Sequence, residues 1–166
     1  MSHFEQITTF ILDVDGVLTD GTLIAYRTGE QVRRFFVKDG YAIERALQAG
    51  YHILVISGGK DESVRTRLQF LGIHDVYLGV KDKLAVFNDY TRSRAIKTEE
   101  ILYMGDDIPD LQMMKLVGFP TCPNDASHDV KPFCKYISPY DGGRGAVRDV
   151  IEKVMRVQGK WTPERW

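Results

Sequence analysis

Six short apolar runs alternate with five longer amphipathic stretches along this chain, and that alternation is the strongest constraint on its fold. Residues 8–12, 52–56, 75–78, 101–104, 119–121 and 135–137 have the length and composition of strands. Residues 40–49, 60–71, 82–94, 108–117 and 145–157 carry apolar side chains at helical spacing. Gly50, Gly72 and Gly118 each follow a helical stretch and read as C-terminal stops. Strands and helices in alternation, joined by short connections, predict a parallel sheet with helices on both faces. The chain's 166 residues suffice for one such domain with its own core. In this architecture ligands gather at the carboxyl ends of the strands.

One stretch interrupts the alternation. Residues 22–37 read as two strands around a turn at 27–30, a β-hairpin inserted after the first strand. Leu23, Ile24, Phe35 and Phe36 give it more apolar surface than a solvated flap needs. Packing on its own domain would use some of that surface. Phe35 and Phe36, adjacent on a strand, are expected on opposite faces, which favours burial against a second subunit.

Charge and cysteine content narrow the function classes. Lys plus Arg number 22 and Asp plus Glu 23, so the net charge of −1 gives no reason to expect nucleic acid or an anionic membrane as partner. No apolar run approaches the roughly 18–20 residues that cross a bilayer. The start, MSHFEQ, lacks a basic segment followed by an apolar one, so a cytoplasmic location is expected. Cys122 and Cys134 do not make a disulfide framework. His3, His52, His74 and His128 are scattered, without the spacing of a zinc site.

The chemistry lies at four strand ends. The first is FILDVDGVLTDG, residues 10–21, where an apolar run delivers Asp13 and Asp15 with one residue between them and Asp20 just beyond. Carboxylates so crowded repel one another, and burial sharpens the repulsion, so a cation is required. The second is Ser57, followed by Gly58 and Gly59. The third is Lys83, opening a helix. The fourth is MGDDIPD, with Asp106, Asp107 and Asp110. Asp13, Asp15 and Asp106 offer the hard oxygens that suit Mg²⁺. Ser57 and Lys83 offer a hydroxyl and a point charge to phosphate oxygens. A carboxylate can attack phosphorus, which makes Asp13 the candidate nucleophile. Asp15 is then the candidate acid and base. Each signal alone fits a turn or a helix cap; the four in this order point to phosphoryl chemistry.

These residues carry a resemblance. DVDGVLTDG, Ser57, Lys83 and GDDIPD together resemble the four motifs of the haloacid dehalogenase superfamily, across nearly the whole chain. The chain length, the early hairpin, KDG, GVKDK and GGRGAVRDVIEKV resemble its capless branch, the 3-deoxy-D-manno-octulosonate 8-phosphate phosphatases. The resemblance implies a Rossmann-like fold, dependence on Mg²⁺ and a homotetramer whose hairpins meet at the interface, with neighbouring subunits completing each active site. It implies that Asp13 is nucleophile, Asp15 acid and base, and Ser57, Gly58 and Lys83 phosphate binders. Mg²⁺ would be held by Asp13, Asp106 and the Asp15 carbonyl, with Asp107 and Asp110 behind them and Asp107 orienting Lys83. Arg67 stands where the family contacts the sugar carboxylate, and Arg144 is a second candidate anion contact. The substrate would be the eight-carbon sugar acid phosphate. The alternatives are a nine-carbon 9-phosphate, a phosphomutase substrate, or no substrate at all in a tetramerisation module. Gly59 replaces a charged residue common in the family, which removes a possible contact to the leaving group. The tail 160–166, short and polar with Trp161 and Trp166, reads either as a frayed end or as a segment that docks near an adjoining active site, with the second slightly favoured.

Overall fold

A computed structural model describes residues 3–162. Its sheet has six parallel strands, β1 (Thr9–Leu12), β4 (His52–Ile56), β5 (Asp75–Tyr77), β6 (Ile101–Met104), β7 (Phe119–Cys122) and β8 (Tyr136–Ile137). They lie in the order β5-β4-β1-β6-β7-β8. The central strands are buried on both faces, so they read as unbroken apolar runs, yet their side chains still alternate. Phe10 and Leu12 of β1, Ile53 and Val55 of β4 and Leu102 and Met104 of β6 join one core; Ile11, Leu54, Ile56, Ile101 and Tyr103 join the other. The first core is closed by α1 (Val37–Gln48), α2 (Glu62–Phe70) and α5 (Ala146–Val157). The second is closed by α3 (Lys83–Ser93) and α4 (Leu111–Met114). Among the described residues no helix is long and apolar enough to cross a membrane.

Helix α5 begins at Gly145, which has no side chain to cap it. Asp39, in the first turn of α1, does so from outside: its Oδ1 accepts the Arg148 N–H at 2.9 Å. Asp39 is 2% exposed and burial pushes its carboxyl up to about 6. Trp161 is buried against its own domain, edge-on to Tyr41 at 5.9 Å and under the Arg45 and Arg148 guanidinium groups. This part of the tail therefore packs on its own domain, beside α1 and α5. Trp166 lies outside the described residues.

The hairpin is shorter than its sequence suggests. Only Ile24–Ala25 (β2) and Gln31–Val32 (β3) pair, in an antiparallel ladder separate from the main sheet. Phe35 and Phe36 lie beyond β3, where the backbone turns into α1, and do not occupy opposite faces of a strand. Phe35 packs on the first core, and Phe36 lies at the N-cap of α1 beside Gly145. Leu23, Ile24 and Tyr26 keep the hairpin's exposed apolar surface. The expected helix 108–117 is also shorter: Pro109 sits in a 3₁₀ turn, Ile108–Asp110, and α4 follows for one turn only.

Candidate active site

Asp13 follows β1 directly, and the chain then makes a tight turn closed by Thr19 N–H to Val14 O at 3.0 Å. The turn requires a left-handed residue, Gly16 at φ +81°. Gly16 also leaves space for Asp106, whose Cγ would lie 2.5 Å from a Cβ at position 16. The turn is backed by residues 142–145. Gly143 N–H donates to Val17 O at 2.9 Å, and Gly142 N–H to Asp125 Oδ1 at 2.9 Å. Parallel strands thus bring the ends of β1, β4 and β6 and the start of α3 to one edge. They line an open cleft of about 1090 Å³, into which Asp13, Asp15, Ser57, Gly58, Lys83, Asp106 and Asp107 all face.

Lys83 Nζ bridges Asp13 Oδ2 and Asp110 Oδ1, both at 2.9 Å. The other Asp13 oxygen accepts the Val14 N–H at 2.7 Å, which fixes the carboxylate plane. Asp110 is fully buried and wholly engaged: Oδ1 also accepts the Tyr103 hydroxyl at 2.7 Å, and Oδ2 accepts the Asp106 N–H at 3.1 Å. Asp107 caps its own 3₁₀ turn through the Ile108 N–H. Lys83 is therefore oriented by Asp110, not by Asp107 as expected. Asp20 is likewise spent elsewhere, on Thr22 and on Arg34 and Arg144 at 3.6 and 3.8 Å.

Carboxylate oxygens of Asp13, Asp106 and Asp110 lie within 4.8 Å of one another. Burial, then the Asp110 charge, pushes Asp13 up to about 7 despite Lys83; burial, Asp110 and Asp107 push Asp106 to about 7. One ammonium does not balance three crowded carboxylates, and a hard divalent cation does. The donor set fits Mg²⁺: all oxygen, rigidly held, at a cleft where a substrate oxygen can complete the shell.

Neither Arg67 nor Arg144 lines this cleft. Arg67 leans from α2 over Phe70 and lies against Gly40, and Arg144 opens onto a separate groove beside Phe36 and Tyr140. The arginine that the sequence reading did not single out is Arg33, just after β3, which stands behind the cleft and pairs with Asp15. Its only signal in the sequence was a second unpaired carboxylate in the DxD pair.

A family profile described as haloacid dehalogenase-like hydrolase matches residues 75–151. The 3-deoxy-D-manno-octulosonate 8-phosphate phosphatase of Escherichia coli strain K12 is 40% identical over 156 residues, 94% of this chain and 83% of that protein. The chain belongs to the 3-deoxy-D-manno-octulosonate 8-phosphate phosphatase family. Solved structures place the same fold in the family. The Yersinia pestis phosphatase superposes with a TM-score of 0.93 at 32% identity, over 95% of this chain and 85% of that one. The Moraxella catarrhalis phosphatase, solved with magnesium, phosphate and KDO, gives 0.91 at 32% identity, over 95% and 90%. Three strand ends and the start of α3 converge here, carrying the four stretches that the sequence reading singled out.

Proposed function

We propose that this chain is a cytoplasmic Mg²⁺-dependent phosphatase that hydrolyses 3-deoxy-D-manno-octulosonate 8-phosphate to the free sugar acid and phosphate. The observation that carries the reading is Asp13, buried at the floor of the cleft, held by Lys83 and crowded by Asp106 and Asp110. Asp13 attacks phosphorus; the bond from phosphorus to the sugar oxygen breaks, its electron pair goes to that oxygen, and Asp15 supplies the proton. Water then attacks the aspartyl-phosphate and gives its proton to Asp15. The bond from phosphorus to Asp13 breaks with its pair returning to the carboxylate, and phosphate leaves. Ser57, the Gly58 backbone and Lys83 bind phosphoryl oxygens, and Asp110 with Tyr103 keeps Lys83 in place. Asp13, Asp106 and the Asp15 carbonyl would hold Mg²⁺, whose charge would favour the ionised form of Asp13 and offset that of the phosphoryl group. The two free thiols suit a reducing compartment.

The cleft is open on its outer side, and the hairpin keeps Leu23, Ile24 and Tyr26 exposed. These features support a homotetramer joined through the hairpins, in which a neighbour walls the site and Arg67 serves an adjoining cleft. The decisive assay is phosphate release from eight-carbon and nine-carbon sugar acid phosphates and from simple sugar phosphates, with and without Mg²⁺. Preference for the eight-carbon acid that vanishes with Mg²⁺ removal or in Asp13→Asn is expected. Equal rates across the panel would remove the substrate assignment, and turnover by Asp13→Asn would remove the mechanism.

A further inference from the structure

The carboxyl group of Asp15 is gripped from the hairpin. Arg33 Nε donates to Asp15 Oδ1 at 2.7 Å, and Nη2 donates to Oδ2 at 3.2 Å. The remaining nitrogen, Nη1, donates to Asp61 Oδ2 at 3.2 Å. Asp61 is itself fixed, because its Oδ1 accepts the Ser63 N–H at 2.9 Å and caps α2. The Arg33 side chain is 4% exposed, while that of Asp15 is 38% exposed. The guanidinium is thus buried behind the carboxylate, and the carboxylate faces the cleft. Gly59 leaves the room: a Cβ there would stand 3.2 Å from Arg33 Nη2 and 3.5 Å from Asp15 Oδ2.

We propose that Arg33 is a positioning residue for the phosphatase reaction, holding the Asp15 carboxyl toward the leaving oxygen with Asp61 as its brace. The inference rests on the reading of Asp15 as proton donor. A two-pronged guanidinium fixes the plane of a carboxyl group and both of its oxygens, and each oxygen keeps a second lone pair for the proton in transit. A misplaced acid loses rate steeply, because proton transfer needs hydrogen-bond reach. A surface ion pair would do little of this, but a guanidinium nearly closed to water has no competing solvent partner. The hairpin segment thereby contributes to the chemistry.

The test uses the leaving group. Arg33→Met, Arg33→Lys and Asp15→Asn are compared with wild type on three substrates: the sugar acid phosphate, a neutral alkyl monophosphate and 2,4-dinitrophenyl phosphate. The first two expel an alkoxide that needs a proton; dinitrophenolate leaves without one. The readout is kcat/KM, which covers the phosphoryl transfer to Asp13 and not the later hydrolysis. Arg33→Met should lose about 100-fold on both alkyl esters and no more than about threefold on the aryl ester. Arg33→Lys, a single-pronged donor, should recover about tenfold of that loss. The ratio between substrates is internal to each variant, so partial unfolding does not alter it. Equal losses on all three substrates, loss confined to the sugar acid, or a gain in rate would each overturn the role. If Asp15→Asn is selective and Arg33→Met is not, only this inference falls. If Asp15→Asn shows no selectivity, the reading of Asp15 falls and takes the inference with it.

Discussion

Replacing Gly142 with alanine should disable the enzyme from a position that touches no substrate. The backbone of Gly142 is outside the left-handed region, so the effect is steric alone. A Cβ at 142 would lie 2.5 Å from the Gly16 carbonyl carbon and 3.0 Å from the Thr19 carbonyl oxygen. Carbon atoms rest at about 3.5–4.0 Å, so the turn carrying Asp13 and Asp15 must retreat by about 1 Å. Neither side yields easily. Gly142 is tied to Asp125, Gly143 to Val17, and the turn is closed on itself by Thr19. Overpacking of this kind costs about 1–3 kcal/mol, or about 4–8 °C in melting temperature at the middle of that range for a chain this long. A shift of about 1 Å in the nucleophile should cost about 100-fold in kcat. Thermal melting and steady-state kinetics on the same preparation read both. Wild-type kcat with a lowered melting temperature would show that the turn does not depend on residues 142–145 for its position, and the reasoning would fail.

Three further outcomes follow from charge and exposure. Asp39 titrates near 6 in the fold and near the ordinary carboxylate value when unfolded, so its carboxyl stabilises the fold while protonated and that stability is lost as pH rises through about 6. Asp39→Asn does not ionise, so urea unfolding should show the variant gaining on wild type by up to about 3 kcal/mol between pH 4 and 7; parallel pH profiles would refute this. Asp13 and Asp106 are both pushed to about 7 by burial and neighbouring carboxylates, and cation binding requires them ionised. The Mg²⁺ concentration for half-saturation should therefore fall as pH rises toward 7 and then level off, and calorimetry giving a flat profile from about pH 5.5 to 8 would contradict it. Ile24→Asp places a charge on the exposed hairpin, where Ile24 is 53% exposed, and should convert the proposed tetramer to smaller species by solution mass measurement; an unchanged mass would move the interface elsewhere.

The parallel sheet and the convergence at its edge were legible because both rest on local signals: apolar runs of strand length, glycine stops, and acids or donors placed just after the strands. Every strand expected in the main sheet is present, with ends shifted by no more than a residue. What escaped was set by tertiary contact. Phe35 and Phe36 look like a continuation of β3, but the backbone leaves the ladder after Val32 to enter α1. Asp107 and Asp110 are equally acidic in sequence; only the depth of the 3₁₀ turn decides that Asp110 reaches Tyr103 and Lys83. Arg33 and Arg34 are adjacent arginines, and which of them is buried on Asp15 depends on where the hairpin folds back. Arg67 has the right spacing from Ser57, yet α2 directs it toward α1 and away from its own cleft.

The contact between Gly16 and Asp106 has a consequence for ion size. The carboxylate of Asp106 rests against the very turn that carries the nucleophile, with no slack for a side chain between them. A cation of larger radius asks its ligands to stand farther apart, about 2.3–2.6 Å from the metal for Ca²⁺ against about 2.0–2.1 Å for Mg²⁺. Here Asp106 stands directly against Gly16, so a shift toward that turn would press on Gly16 and move Asp13 with it. Calcium should therefore occupy the site and displace magnesium in a competition titration while supporting little turnover, because the nucleophile is pushed out of line. Discrimination between the two ions would then come from a glycine that touches neither of them.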